Sequence, residues 1–223
     1  MVSPRFSRIL DQLFTGILVG CAIVVTAVVV RREMAAPPTT KPMVSEQADW
    51  RDFIDTTRTD GASRARVAVV VFGDYQCPYC RVLAERLAEI AGDYDRQVVV
   101  QNRHFPLPQH TFAFQAAVAS ECANEQGLGD EMHMALFAKQ DSLGRMPWRD
   151  IAASIRGVDL NAFDDCIDDE KARAVVVSDT LKGRQLDING TPTVLVNQQR
   201  VTGAPIASDL RRLIEIALKE SAP

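Results

Sequence analysis

Cys77-Pro78-Tyr79-Cys80 is the segment whose residue types and spacing can do chemistry. Two thiols this close can exchange disulfides, ligate zinc or pack as inert small hydrophobes. Disulfide exchange needs one thiol that ionises readily and a second within reach of it. Val67 to Phe72 (VAVVVF) reads as a strand buried on both faces, and a helix opens near Pro78. That helix places Leu83, Leu87 and Ile90 at i, i+4 and i+7, with Arg81, Glu85 and Glu89 outward and Gly92 as its stop. Cys77 therefore falls at a helix N-terminus, where unpaired N–H groups and the macrodipole favour a thiolate. Its pKa is expected below that of a free cysteine. Cys80, one turn further in, is placed to resolve a mixed disulfide on Cys77, and Pro78 is pre-set for the first helical turn. Zinc needs about four ligands. No second Cys-x-x-Cys or close His pair exists, and His104, His110 and His133 are scattered, so no metal is expected. Inert thiols would not need to open a helix. Redox chemistry is the reading that uses the whole motif.

A second signal lies far along the chain, in Gly190-Thr191-Pro192-Thr193-Val194. A proline entering a core strand is awkward unless its peptide bond is cis or the strand is an edge. Cys122 follows Phe114 and Val118 on one helical stripe, and Cys166 shares a face with Phe163 and neighbouring Ile167. Two inward cysteines on packed helices can form a structural disulfide, although two separate buried thiols would fit the same pattern. Cys21 is then left alone among the five cysteines.

The elements that position these residues run in the order βαβ, helical insert, ββα. Val98 to Val100 forms the second strand and continues toward Arg103. Roughly Thr111 to Leu186 is helical, punctuated by Gly127, Gly129, Gly144 and Gly157, with Pro147 suited to a first helical turn. Thr193 to Val196 is a strand, Asn197-Gln198-Gln199 turns the chain into Arg200 to Thr202, and Ile206 to Lys219 is an amphipathic helix with Leu210, Leu213, Ile214 and Ala217 inward. Trp50 to Thr57 suits a short leading helix with Trp50, Phe53 and Ile54 on one face.

Upstream, Leu13 to Val30 (LFTGILVGCAIVVTAVVV) carries no charge. As a helix it would span about 27 Å, near the thickness of a hydrocarbon core. It reads as an uncleaved single-pass anchor: a signal peptide would have a shorter apolar core and a small-residue exit. Leu18-Val19-Gly20-Cys21 resembles a lipobox, but apolar residues continue past Cys21. Arg5 and Arg8 before the span nearly balance Arg31, Arg32 and Lys41 after it, so charge does not orient it. The organisation is then a tail over 1–12, an anchor over 13–30, a linker over 31–49 and a domain over 50–223 with its insertion at about 108–187. Ala35 to Asp49, with Pro37, Pro38 and Pro42, reads as a partly stiff spacer. The 223-residue chain has a net charge of −4 with basic and acidic residues interleaved, which gives no reason to expect nucleic acid.

FGDYQCPYC, the helical insert and the late GTPT together resemble the DsbA-like branch of the thioredoxin superfamily, over roughly Val67 to the C-terminus. His104-Phe105-Pro106-Leu107 is similar to that branch as well. The resemblance implies an α/β thioredoxin-like fold with an inserted helical subdomain. It implies a cis Thr191–Pro192 bond against the dithiol, where Pro192 blocks metal capture and the Thr191 backbone meets substrate polypeptide, with Pro78 and Tyr79 in the same wall. Two departures stand out. A buried acid common six residues before the first cysteine is replaced by Val71, so a carboxylate for proton transfer with Cys80 comes from elsewhere, with Asp74 the nearest candidate, or is absent. The dipeptide is Pro-Tyr, not Pro-His, which implies a milder oxidant.

The expected function is dithiol–disulfide exchange in exported proteins, on the periplasmic or cell-wall side of a membrane, with Cys77 as the reacting sulfur and Cys80 resolving. No diffusible cofactor is implied. A membrane redox partner would reoxidise the dithiol. A reductase or isomerase kept reduced by a membrane donor, and a non-catalytic redox-sensing module, are the alternatives.

Overall fold

The computed structural model describes Thr26, Lys41–Pro42, Ile54, and residues 65–94 and 96–221. The chain divides into two units, Met1–Thr39 and Thr40–Pro223. Of the first, only Thr26 is described, and it is helical. The anchor expected over 13–30 and the linker over 31–49 thus lie outside the described residues, Thr26 and Lys41–Pro42 excepted. Among the described residues no helix is long and apolar enough to cross a membrane. Of the leading helix expected over Trp50 to Thr57 only Ile54 is described; it has no regular structure and packs, partly buried, against the core.

Five strands form one mixed sheet: β1 (Lys41–Pro42), β2 (Val67–Gly73), β3 (Val98–His104), β4 (Thr193–Val196) and β5 (Gln199–Thr202), in the order β1-β5-β4-β2-β3. The β2–β3 pair is parallel and the other pairs are antiparallel. β2 is central and its side chains alternate between two buried layers, which is why its sequence is continuously apolar instead of alternating with polar residues. Val67, Val69 and Val71 face α1 (Pro78–Ala91) and the C-terminal helix through Leu83, Leu87, Ile90, Leu210, Leu213 and Ile214. Ala68, Val70 and Phe72 face the opposite layer with Phe105, Leu186 and Ile188.

The stretch between β3 and β4 holds five helices: α2 (Ala113–Asn124), α3 (Gly129–Ala138), α4 (Trp148–Ala152), α5 (Leu160–Asp168) and α6 (Glu170–Gln185); α7 (Ala207–Glu220) follows β5. α2 is buried on nearly every side and is the spine of the insert, where Met132, Leu136, Ile151 and Phe163 close around it. α6 returns the chain to the sheet. Its Asp179 accepts from Arg103 Nη1 at 2.6 Å and from the His104 backbone N–H at 3.1 Å, both buried. Gly183 lets that helix sit on the rings: a Cβ there would lie 2.6 Å from Phe105 and 3.2 Å from Phe72.

Three boundaries differ from the sequence reading. Pro147 is the residue before α4, at the N-cap, and not in its first turn. Gly92 does end α1, but in a right-handed conformation (φ −68°) that leads directly into a 3-10 turn over Gly92–Tyr94. The β4–β5 hairpin needs only Asn197 and Gln198, because Gln199 already pairs with Val196. Asn197 takes the left-handed conformation (φ 49°) that such a tight turn demands, and its Oδ1 accepts from the Ala68 N–H at 2.8 Å.

Candidate active site

Cys77 is the N-cap residue of α1 and Pro78 holds the first helical position, so the segment between β2 and α1 aims Cys77 Sγ at a helix N-terminus. The Cys80 N–H donates to the Cys77 carbonyl at 3.1 Å, closing the first turn. From the other side of the fold, the loop entering β4 brings Thr191, whose carbonyl oxygen lies 3.3 Å from Cys77 Sγ and whose peptide bond to Pro192 is cis. Both sulfurs are in the free thiol state and buried, whereas Tyr79 between them is 66% exposed.

The two thiols ionise very differently. Hydrogen bonding from the Cys80 thiol draws Cys77 down to about 6 against the opposing effect of burial; the Thr191 side chain and the N–H groups of Cys80 and Tyr79 help. Cys80 is pushed well above the ordinary cysteine range by its bond to Cys77, by burial and by the Cys77 charge. At neutral pH the arrangement is one thiolate at the helix N-terminus and one thiol held beside it.

The supporting contacts come largely from residues that local sequence reading passes over. Gln140, at the start of a 3-10 turn after α3, donates through Nε2 to the carbonyls of Tyr75 (2.7 Å) and Cys77 (3.0 Å). Gln76 Oε1 accepts from the Phe112 N–H at 2.5 Å. The insert thus grips the backbone on which the first cysteine stands. Behind Cys80 lies a cavity of about 20 Å³ whose wall includes Val71, Gly73, Tyr75, His104 and His133.

A model of the thioredoxin family matches residues 54–216. The chain belongs to the thioredoxin family. Among solved structures, oxidised BdbD from Bacillus subtilis matches 82% of this chain and 100% of its own at a TM-score of 0.65 and 23% identity. A thioredoxin-like oxidoreductase from Silicibacter pomeroyi matches 72% and 91% at a TM-score of 0.58 and 28% identity. The thiol-disulfide exchange protein alpha-DsbA2 from Wolbachia pipientis matches 74% and 90% at 0.61 and 23%. A curated relative, the Na(+)/H(+) antiporter NhaA 1 of Mycolicibacterium gilvum, is 34% identical over 160 residues, covering 70% of this chain. This chain spans about a quarter of the length of that protein (25%). The chain shares its thioredoxin-family architecture with these structures.

Within this thioredoxin-family frame, Asp74 does not serve Cys80 through its carboxylate. Oδ1 accepts from the Gln76 N–H at 2.7 Å; Oδ2 accepts from the Leu107 N–H at 2.7 Å and lies 2.8 Å from His110 Nδ1. Only its backbone N–H reaches Cys80 Sγ, at 3.4 Å. Asp74 ties the active-site loop to the segment after β3. The sequence singled out Asp74 and noted His110, but at a separation of 36 positions nothing marked them as a pair. Cys122 on α2 and Cys166 on α5 are joined by a disulfide with a Cα–Cα distance of 5.6 Å, remote in sequence from the dithiol. Among the described residues no group of three or more His, Cys, Asp or Glu side chains is placed to hold a metal ion.

Proposed function

We propose that this thioredoxin-family chain is an extracytoplasmic dithiol oxidase, tethered by residues 13–30, that makes disulfides in exported proteins. The observation that carries the reading is the asymmetry of the pair: Cys77 lowered to about 6 at a helix N-terminus, Cys80 buried and raised. In the oxidised form a substrate thiolate attacks Cys77 Sγ; the Cys77–Cys80 bond breaks and Cys80 leaves with the electron pair and takes a proton. A second substrate thiolate then attacks its neighbour's sulfur in the mixed disulfide, and Cys77 departs as a stabilised thiolate. A leaving group this stable favours oxidation of the substrate. Thr191, Pro192, Pro78 and exposed Tyr79 form the wall against which an unfolded polypeptide lies, with the Thr191 backbone as its strand-like contact.

The compartment follows from chemistry, since a thiol oxidase works where disulfides persist. The uncharged run from Leu13 to Val30 and the similarity to part of a membrane antiporter both support a membrane-proximal placement. A membrane redox partner accepts the two electrons and returns the pair to the disulfide. The redox state of Cys77 and Cys80, trapped by acid and alkylation in intact cells, tests the direction. A mostly oxidised pair is expected. A mostly reduced one would make the protein a reductase or isomerase instead, and failure to turn over either insulin or a reduced refolding substrate would make it a redox sensor.

A further inference from the structure

Cys80 must lose or gain a proton each time the Cys77–Cys80 bond forms or breaks, yet it is buried, and among the described residues the one carboxylate on its cavity is that of Asp74. Val71 lines that side of the cavity, and Asp74 Oδ1 and Oδ2 are occupied by Gln76, Leu107 and His110. The cavity points elsewhere. A Cβ on Gly73 would lie 3.9 Å from Cys80 Sγ, and Gly73 pairs in register with His104 on β3, so Cys80 and His104 stand over neighbouring positions of one sheet face. Both line the cavity of about 20 Å³, room for one water molecule. His104 Nε2 lies 2.6 Å from Glu121 Oε1 on α2, a buried pair. His104 and Glu121 also line a second, polar pocket of about 400 Å³ that carries Asp130 and Glu131. The two spaces share Tyr75, Asn102, His104 and His133, which form the wall between them.

The other titratable groups on the first cavity are committed. Arg103 is bound to Asp179, and the Tyr75 hydroxyl lies 2.8 Å from Ser120 Oγ and 2.9 Å from His133 Nδ1. His133 is held neutral, pushed down to about 3 by burial and by His104, and is a poor acceptor. Resting on the oxidoreductase reading above, we infer that the His104–Glu121 pair is the proton acceptor and donor for Cys80, reached through one water in the cavity. When the Cys77–Cys80 bond forms, the S–H proton of Cys80 passes to the pair as the thiolate displaces the departing thiolate from Cys77. When the bond breaks, the same proton returns to Cys80. No co-reactant beyond the disulfide partner is needed.

The test uses the full chain, reduced and mixed with oxidised glutathione, then acid-quenched and followed peptide by peptide by mass spectrometry. The mixed disulfide on Cys77 decays as Cys80 expels glutathione. Glu121→Gln and, from the β3 side, His104→Gln should slow this decay by about tenfold or more near pH 7, with the deficit closing as hydroxide takes over at alkaline pH. Alkylation of Cys77 should keep its midpoint near 6 in both variants, which also marks them as folded. Adding Val71→Asp, which sets a carboxylate on the cavity wall, should restore the rate to Glu121→Gln. Wild-type decay with unchanged rates in both variants, or equal slowing at every pH without rescue, overturns the relay while leaving the oxidoreductase reading intact. If wild type itself keeps glutathione on Cys77 as a Cys80→Ala variant does, both fall together.

Discussion

At the scale of single residues the decisive quantity is the ionisation of Cys77. Iodoacetamide should modify reduced Cys77 with a midpoint near pH 6, following the lowered value, while buried Cys80 stays unmodified. A midpoint near that of a free thiol, or faster modification of Cys80, would reverse the roles. The same shift couples to stability. Between about pH 6 and the ordinary cysteine value of 9.0, the folded chain holds Cys77 as a thiolate while the unfolded chain binds a proton there. The stabilisation is therefore complete only above the unfolded value and is lost as pH falls through 6. The melting temperature of the reduced form, measured against that of the oxidised form, should rise from pH 5 to pH 8. Both cysteines could be found in the sequence because the reasons for their behaviour are local: four consecutive residues and the start of a helix. Glu121, Gln140 and His110 could not, because each is bonded to partners 17 to 65 residues away and none forms a motif with its neighbours.

Helices and strands were legible where burial is one-sided. α1 and α7 show their inward stripes plainly, and β2 declares its double burial through an unbroken apolar run. α2 shows no such stripe because the insert surrounds it, so periodicity could say that it is helical and not what it touches. Gly183 reads as a weak helix position and is instead the point where α6 meets two aromatic rings. Gly183→Ala should gain under ~1 kcal/mol from helix propensity but lose about 1–3 kcal/mol to the clash with Phe105, a net destabilisation measurable by urea titration. Gln140→Ala removes two hydrogen bonds from buried carbonyls of the active-site loop and should cost about 1–3 kcal/mol by the same measurement. Glutathione exchange at Cys77 should slow with it, because the turn carrying the sulfur is no longer clamped. A variant with normal stability and normal exchange would show that the clamp is idle.

For the whole molecule, the expected arrangement is a short tail, a single membrane pass and a catalytic domain on the far side. Protease added to cells with an opened envelope should digest the domain after residue 31, and protection equal to that of a cytosolic marker would refute this topology. The charge around the span leaves the orientation open; the expectation rests on the thiols, whose exchange chemistry belongs to an oxidising compartment. The clamp on Cys77 also has a consequence in time. The chain emerges from the ribosome with Cys77 and Cys80 leading, Gln140 some sixty residues later, and the Thr191 carbonyl after a separation of 114 residues. Until that last loop is threaded home, the pair has its helix but neither its clamp nor its wall, and Cys77, already lowered by Cys80, lacks the further stabilisation that Thr191 adds. A nascent chain arrested before β4 thus carries its dithiol without the loop that faces it, and the last part of the rise in Cys77 reactivity becomes a clock for completion of the fold.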